Sequence, residues 1–198
     1  MLENFSKTAL SVIIMARLEA IQSRHNIIGT EMILLGLITE NKNTAAQVLK
    51  TFGLDREILR VEVRNIKGIG DKVSEFAVPI IPYTDTAKKV IKNAQKQSLY
   101  FGKDYVMAEH LLLGIVDEGL EQIHSGAALS GAVAVLDSLE IDLVTLKTKI
   151  LDLVSVGPVG NYENPYDDPE RRPSKDLLNR EDRELIVEIC RKLTSERV

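Results

Sequence analysis

The sequence is poor in aromatic residues and in cysteine. Aromatic residues make up 5% of the 198 residues, and tryptophan is absent. The core is therefore expected to consist mainly of Leu, Ile, Val and Ala side chains. The single cysteine, Cys190, excludes an internal disulfide framework and is typical of a reducing compartment.

Long apolar runs and a surplus of positive charge are also missing. The longest apolar run, residues 32–38, is far shorter than the run of about 18 residues that a membrane span needs. The formal net charge of −4 argues against a protein that tracks nucleic-acid phosphates. Residues 1–5 resemble neither a signal peptide nor an Arg-rich transit peptide. These features predict a protein of the bacterial cytoplasm or the plastid stroma, with neither nucleic acid nor membrane as its partner.

Sequence motifs for nucleotide binding, metal binding and catalysis are likewise absent. It contains no GxxxxGK followed by Ser or Thr to hold nucleotide phosphates, and no HExxH or Cys/His pair to bind a metal. His110 directly follows Glu109, which places the two side chains on different faces of a helix. Cys190 has no Cys/His/Asp arrangement around it. We therefore predict no catalytic residue, no metal site and no cofactor, and we do not expect an enzyme.

The sequence does contain an internal repeat. Residues 5–9 match residues 83–87, and residues 30–40 match residues 108–118, both at an offset of 78. The match resumes at an offset of 87, where Val48-Leu49 pairs with Val135-Leu136. Because the offset grows by nine, the second copy contains an insertion of about nine residues, near residues 120–131.

Each copy is predicted to form four helices. In the first copy, apolar positions between residues 9 and 20 recur at helical spacing. A second helix covers about residues 30–40, a third residues 44–51 and a fourth about residues 55–65. Long alternating apolar and polar stretches, typical of strands, are missing. The fold class is therefore predicted to be all-α, with two tandem pseudo-symmetric four-helix repeats.

Changes in composition define the domain boundaries. Glycines and prolines over residues 67–82 separate repeat one, residues 1–66, from repeat two, residues 83–155. The double-repeat domain thus covers residues 1–155. Six glycines and prolines between residues 157 and 173 indicate a linker over residues 156–173.

The remaining segment, residues 174–198, is predicted to be an amphipathic helix. Its charged sequence carries an apolar stripe, which consists of Leu185, Ile186, Ile189 and Leu193. Such a short helix is marginal unless it packs against something. We expect the stripe to dock on its own repeat domain, on a second copy or on a partner.

Two glycine- and leucine-rich segments carry a resemblance to a known family. Residues 26–37 (NIIGTEMILLGL) and 108–115 (AEHLLLGI) are similar to two copies of the GTEHLLLGL signature of the Clp amino-terminal domain, most closely the ClpC type. Residues 81–88 (IPYTDTAK) resemble the start of its second repeat. The sequence departs from the signature at Met32, in place of histidine, and at Met107-Ala108, in place of Gly-Thr. The resemblance covers about residues 1–155, without the ATPase modules of the ClpA, ClpC and ClpB unfoldases.

The resemblance implies a protein-binding function. In the unfoldases this domain receives substrates and adaptor proteins, and in short plastid accessory proteins, often called ClpT, it associates with the protease core. The implied function is a non-catalytic adaptor or accessory subunit of a Clp-type protease or chaperone, with Clp subunits, substrates or adaptors as partners. The alternative is a structural interaction protein that reuses the fold in another assembly, with the insertion and the tail helix as its contact surface.

Four residues at predicted helix starts can be interpreted in two ways. Ser6 and Thr84 each precede a helical run, where a hydroxyl caps the helix and contributes about 1 kcal/mol. Glu31 and Glu109 lie in a first turn, where acidic residues meet the helix dipole favourably. In ClpC-type domains, the matching hydroxyl and glutamate positions form two phosphoarginine sites. The resemblance therefore implies that these four residues bind phosphoarginine or a peptide.

The chemistry of this second interpretation is consistent with the residue types. A helix start with a hydroxyl binds phosphate, and a carboxylate binds a guanidinium group through paired hydrogen bonds. The altered Met107-Ala108 entry predicts that the second of the two pockets is the weaker one.

Overall fold

The structure, a computed structural model, describes residue 2 and residues 4–70 and 81–155. The described residues form two consecutive sets of four helices, which confirms the all-α class. The helices are α1 (Lys7–Gln22), α2 (Thr30–Glu40), α3 (Thr44–Thr51), α4 (Arg56–Lys67), α5 (Asp85–Tyr100), α6 (Ala108–Ser125), α7 (Gly131–Ser138) and α8 (Leu143–Ser155). The predicted linker (residues 156–173) and the predicted tail helix with Leu185, Ile186, Ile189 and Leu193 lie outside the described residues.

Short polar side chains cap the helices where the sequence predicts it. The hydroxyl of Ser6 accepts a hydrogen bond from the N–H of Ala9 at 3.1 Å, and that of Thr84 accepts one from Ala87 at the same distance. Asp55 caps α4 in the same way, so this helix begins one residue later and ends two residues later than predicted. The predicted capping by Ser6 and Thr84 is confirmed.

The first two helices of each repeat approach closely at a glycine. A methyl group added at Gly114 of α6 would lie 2.6 Å from the carbonyl oxygen of Val90 in α5, and one at Gly36 of α2 would overlap the carbonyl oxygen of Val12 in α1. The glycine of the repeated signature is therefore a packing requirement. It allows the leucine-rich helices α2 and α6 to lie at the centre of the domain, and every residue of Thr30–Ile38 is buried.

A buried carboxylate joins three helices of repeat one. Glu19 of α1, which is 2% exposed, forms ion pairs with Arg56 and Arg60 of α4 at 3.0 and 2.9 Å. It also accepts a hydrogen bond from the hydroxyl of Thr39 in α2 at 3.1 Å. The low exposure of Glu19 is tolerated because each of its oxygens has charged or polar partners.

Repeat two makes the equivalent connection with its acid on a different helix. Gln97 of α5 occupies the position of Glu19, and the acid is Asp117 of α6, which pairs with Lys147 of α8 at 2.8 Å. The Gln97 amide donates a hydrogen bond to Asp117. The two repeats therefore share a three-helix polar junction but not the residue that carries its negative charge.

The predicted insertion lies at the end of α6. This helix has 18 residues, whereas its counterpart α2 has 11. The additional residues lengthen α6 to Ser125, and residues 126–130 then connect it to α7. Gln122 holds this connection in place because its side-chain oxygen accepts a hydrogen bond from the N–H of Ser130 at 2.7 Å.

Candidate functional site at paired helix starts

The beginnings of the helices are joined crosswise between the two repeats. Phe5, just before α1, forms a parallel bridge with Val106, just before α6. Ile28, just before α2, forms the matching bridge with Tyr83, just before α5. Each bridge therefore brings the start of the first helix of one repeat next to the start of the second helix of the other.

This crossing distributes the four predicted site residues over two pairs of helix starts. The first helix-start pair consists of the starts of α2 and α5, with Glu31 and Thr84. The second helix-start pair consists of the starts of α6 and α1, with Glu109 and Ser6. Each pair thus combines a carboxylate and a hydroxyl from different repeats. Because a helix start has up to four N–H groups without a partner in the helix, each pair concentrates hydrogen-bond donors that favour an anion.

In the first helix-start pair, two glycines accommodate the carboxylate of Glu31. A methyl group added at Gly29 or Gly131 would overlap this carboxylate, which leaves Glu31 only 7% exposed. The neighbouring Thr30 hydroxyl accepts a hydrogen bond from the N–H of Ala132 at 2.9 Å. The start of α7 in repeat two is therefore part of the surroundings of Glu31.

The second helix-start pair has a different composition. Met107 and Ala108 occupy the positions of the glycine and threonine that precede the glutamate in repeat one, so the hydroxyl that binds α7 there has no counterpart. Burial raises the pKa of Glu109, and this effect is partly offset by a hydrogen bond to its own backbone and by the charge of Lys103. The two glutamates thus occupy similar positions but different surroundings.

His110 is a structural part of the second helix-start pair. The residue is 1% exposed, and its ring lies nearly parallel to that of Phe101, with 6.0 Å between the ring centroids. The N–H of Met107 donates a hydrogen bond to Nδ1 of His110 at 3.0 Å, which caps α6. Burial lowers the pKa of His110 to about 4, with a smaller contribution from the charge of Lys103. His110 is therefore a packed residue that caps α6.

The crossing between the two repeats could not be predicted from the sequence. Residues 5 and 106 lie far apart along the chain, and their contact leaves no local pattern that could reveal it. The cap provided by His110 could have been found, because a polar side chain three residues after the cap position is the spacing of a capping box. The part played by Gly131 was also missed, since it depends on how α7 packs against α2.

Within residues 4–70 and 81–155, no three or more His, Cys, Asp and Glu side chains come together as a metal site would require. In the same ranges, no helix is long and apolar enough to cross a membrane.

The fold and these helix starts define a class of protein, an all-helical module built from two four-helix repeats. The family model described as "Clp repeat (R) N-terminal domain" matches residues 4–127. Because the match covers more than half of the chain, this protein belongs to that family. The resemblance identified from the repeated signature is confirmed.

Curated relatives align with the repeat domain. An ATP-dependent Clp protease ATP-binding subunit ClpA homolog of Guillardia theta and the chloroplastic chaperone protein ClpC of Pisum sativum are each 40% identical over 154 residues. The ClpA homolog of Porphyra purpurea is 36% identical over 161 residues. These alignments cover 78%, 78% and 81% of this chain but 17%, 15% and 18% of the relatives. The chain therefore spans less than a fifth of the length of these relatives.

Solved structures share the fold. The N-terminal domain of the chaperone ClpD from Arabidopsis thaliana superposes with a TM-score of 0.60 at 22% identity, covering 77% of this chain and 98% of that one. The Hsp104 N-terminal domain from Candida albicans gives a TM-score of 0.60 at 16% identity, covering 79% and 95% of the two chains. At these identities the likeness concerns the fold alone.

Proposed function

We propose that this chain is a non-catalytic protein-binding adaptor or accessory subunit of a Clp-type ATP-dependent protease or chaperone. Its partners would be Clp unfoldase or protease-core subunits, protein substrates or adaptors. The relatives are named as Clp ATP-binding subunits and Clp chaperones, several of them chloroplastic. On this proposal the protein acts in the plastid stroma or the bacterial cytoplasm.

The observation that carries the proposal is the presence of two helix-start pairs on one domain. Each pair contains a buried or half-buried glutamate in the first turn of one helix and a capping hydroxyl at the start of the other. Such a combination suits a ligand with both a cationic and an anionic group, because the carboxylate attracts the cation and the helix start attracts the anion.

Phosphoarginine on a tagged protein is a ligand of this kind. Glu31 and Glu109 would bind the guanidinium part, and the helix starts capped by Thr84 and Ser6 would bind the phosphate. Both cap hydroxyls already accept one backbone hydrogen bond, but a hydroxyl still has a proton to donate. The ligand would therefore add to the capping interactions without replacing them.

The helix starts that would receive the phosphate differ in charge. α1 begins with Lys7, whereas α5 begins with Asp85, whose carboxylate pairs with Lys88 at 2.8 Å. The positive charge of Lys7 favours phosphate binding at the second helix-start pair. Met107 and Ala108 disfavour it, because they replace the glycine and the threonine hydroxyl that the first pair has at these positions. That the second pocket is the weaker one stays a prediction.

The test compares wild-type protein with Glu31→Ala plus Glu109→Ala, using a fluorescent peptide that carries one phosphoarginine. We expect the double variant to lose binding, because each truncation removes a charge-assisted contact of about 1.5–3 kcal/mol. The single variants rank the two pairs, and Glu31→Ala should weaken binding more. The control is Glu57→Ala plus Glu121→Ala, at exposed glutamates outside both pairs. Equal binding by wild type and double variant would rule out the assignment.

The alternative, a structural interaction protein of another assembly, is favoured by one observation. The extended end of α6 and the following connection expose Ile123 at 55% and Leu129 at 37%, a contact surface that α2 lacks. A pull-down with Clp unfoldase and protease-core subunits separates the two functions. Retention of either subunit supports the adaptor, and retention of neither supports the alternative.

A further inference from the structure

The outward face of α5 carries a row of lysines that ends in an exposed hydrophobic pair. Lys88, Lys92, Lys96 and Tyr100 follow one another at intervals of four residues, which is a rise of about 6 Å per step on one side of a helix. Tyr100 is 83% exposed and its neighbour Leu99 is 75% exposed, the two highest values among the large hydrophobic residues of the described chain. This row, with Leu99, is termed the α5 face.

The fold itself does not require these lysines. At the matching positions of α1, 78 residues earlier, repeat one has Leu10, Ile14 and Leu18 in place of Lys88, Lys92 and Lys96. The two helices have the same length and pack in the same way against α2 and α6. Of these two equivalent helices, only α5 therefore carries the row of lysines.

Neighbouring acids neutralise only the first turn of the row. Lys88 pairs with Asp85 at 2.8 Å, and Lys89 pairs with Glu118 at 2.9 Å and with Glu121 at 3.2 Å. Lys92 and Lys96 form no ion pair with any described residue. The uncompensated charge thus lies directly beside Tyr100 and Leu99.

We propose that the α5 face binds a short acidic polypeptide segment of a partner protein that contains a hydrophobic residue next to its acids. In an extended peptide, every second side chain points the same way, at intervals of about 6.6 Å. This interval matches the step from Lys92 to Lys96 to Tyr100. The sequence acid-x-acid-x-apolar therefore places two carboxylates on the lysines and one apolar side chain on Tyr100 and Leu99.

The charge distribution favours a peptide over a nucleic acid or a membrane. The two uncompensated lysines span about one helical turn, whereas a nucleic acid or an anionic lipid surface is bound through a more extended basic area. Lys88 and Lys89, one turn closer to the helix start, are already paired with Asp85, Glu118 and Glu121 and so add little attraction for a longer polyanion. The net charge of −4 also disfavours binding to a nucleic acid or an anionic membrane.

This inference rests on the α5 face and is separate from the two helix-start pairs. The variants Glu31→Ala and Glu109→Ala should leave binding of an acidic peptide unchanged. A failure of one proposal is therefore distinguishable from a failure of the other.

The test uses the full chain and a fluorescent peptide that contains Glu-Ser-Glu-Ser-Leu, measured by anisotropy at low and at physiological salt. Lys92→Glu plus Lys96→Glu should weaken binding by about tenfold or more, because two attractive charge contacts become repulsive. The control, Lys42→Glu plus Lys149→Glu, makes the same change in net charge at exposed lysines elsewhere and should retain most of the affinity. Leu99→Ser plus Tyr100→Ser should weaken binding severalfold without changing its salt dependence.

Three results would overturn the proposal. The first is no saturable binding of the peptide by wild type at low salt. The second is equal weakening by the α5 variant and the control variant, which would show that only net charge matters. The third is tighter binding of a single-stranded oligonucleotide, or of phosphatidylcholine vesicles containing phosphatidylserine, than of the peptide. Because all the substituted side chains are exposed, melting temperatures should stay within a few degrees and verify folding.

Discussion

His110 illustrates how one buried side chain couples the stability of this domain to pH. Its Nδ1 accepts the Met107 N–H, and its pKa is lowered to about 4 because burial disfavours the charged ring. The unfolded chain binds a proton at its ordinary pKa of about 6.5, whereas the folded chain does not. The contribution of His110 to the free energy of unfolding is therefore lost as the pH falls from about 6.5 to about 4.

We predict that His110→Met removes this pH dependence. Met32 occupies the matching buried position of repeat one, so the fold accepts methionine there. From about pH 7.5 to about pH 5, the wild type should lose about 2 kcal/mol more free energy of unfolding than the variant. Glu109 has the opposite effect: because its pKa is raised, the cost of burying its charged form decreases as the pH falls. This effect cancels in the comparison, since Glu109 is present in both proteins. Urea denaturation at the two pH values measures the difference, and the exposed His124→Met serves as the control. An unchanged pH dependence in His110→Met would contradict the prediction.

At the scale of the helices, the two polar junctions show that the same connection can be made with the acid on either of two helices. Repeat one places it on α1 as Glu19, beside Thr39 of α2, and repeat two places it on α6 as Asp117, beside Gln97 of α5. In both cases a cation from the fourth helix completes the junction. Both junctions thus have one negative charge among three helices, buried at Glu19 and half-buried at Asp117, which pairs with the cation of the fourth helix.

Glu19→Gln should therefore cost about 2–3 kcal/mol of unfolding free energy, since the arginines that it leaves unpaired keep partial access to water. Adding Thr39→Asp reproduces the arrangement of repeat two and should recover at least half of the loss. Urea denaturation of the single and double variants forms a double-mutant cycle that isolates the compensation. Additive destabilisation by the two changes would show that the junctions are not equivalent. The control is Thr148→Asp, on the exposed surface of α8.

At the scale of the whole molecule, the predicted tail helix remains to be tested. Removal of residues 174–198 takes away the apolar stripe of Leu185, Ile186, Ile189 and Leu193. A helix of this length needs a packing surface, so the deletion should have a measurable consequence. A lower melting temperature would indicate that the stripe stabilises its own repeat domain. An unchanged melting temperature, with loss of self-association or of Clp binding, would indicate docking on a second copy or a partner.

Amide exchange provides the independent check of the tail prediction. Protection of residues 174–195, in the chain alone or with Clp subunits, supports a docking helix. If the amides of this segment are unprotected both in the chain alone and with Clp subunits, the segment is not a docking helix, whatever effect the deletion has on stability.

The sequence by itself determined the repeat, the helices and their caps. These features are local, because helical periodicity, a capping hydroxyl and a glycine after a helix depend on residues within a few positions of one another. The predicted limits of α2 and α3 agree with the structure, and Ser6 and Thr84 cap the helices that they precede. The repeated glycine-leucine signature likewise sufficed to indicate the family.

Only the tertiary structure decided which helix starts meet. The bridges from Phe5 to Val106 and from Ile28 to Tyr83 join different repeats. They bring the helix start with Glu31 next to the one with Thr84, and the helix start with Glu109 next to the one with Ser6. The residues that surround each glutamate depend on how α7 and α2 pack, which is why Gly131 has no recognisable signature. The physical reason is that packing is set by the shapes of many side chains together, so contacts between distant segments leave no periodic pattern in the sequence.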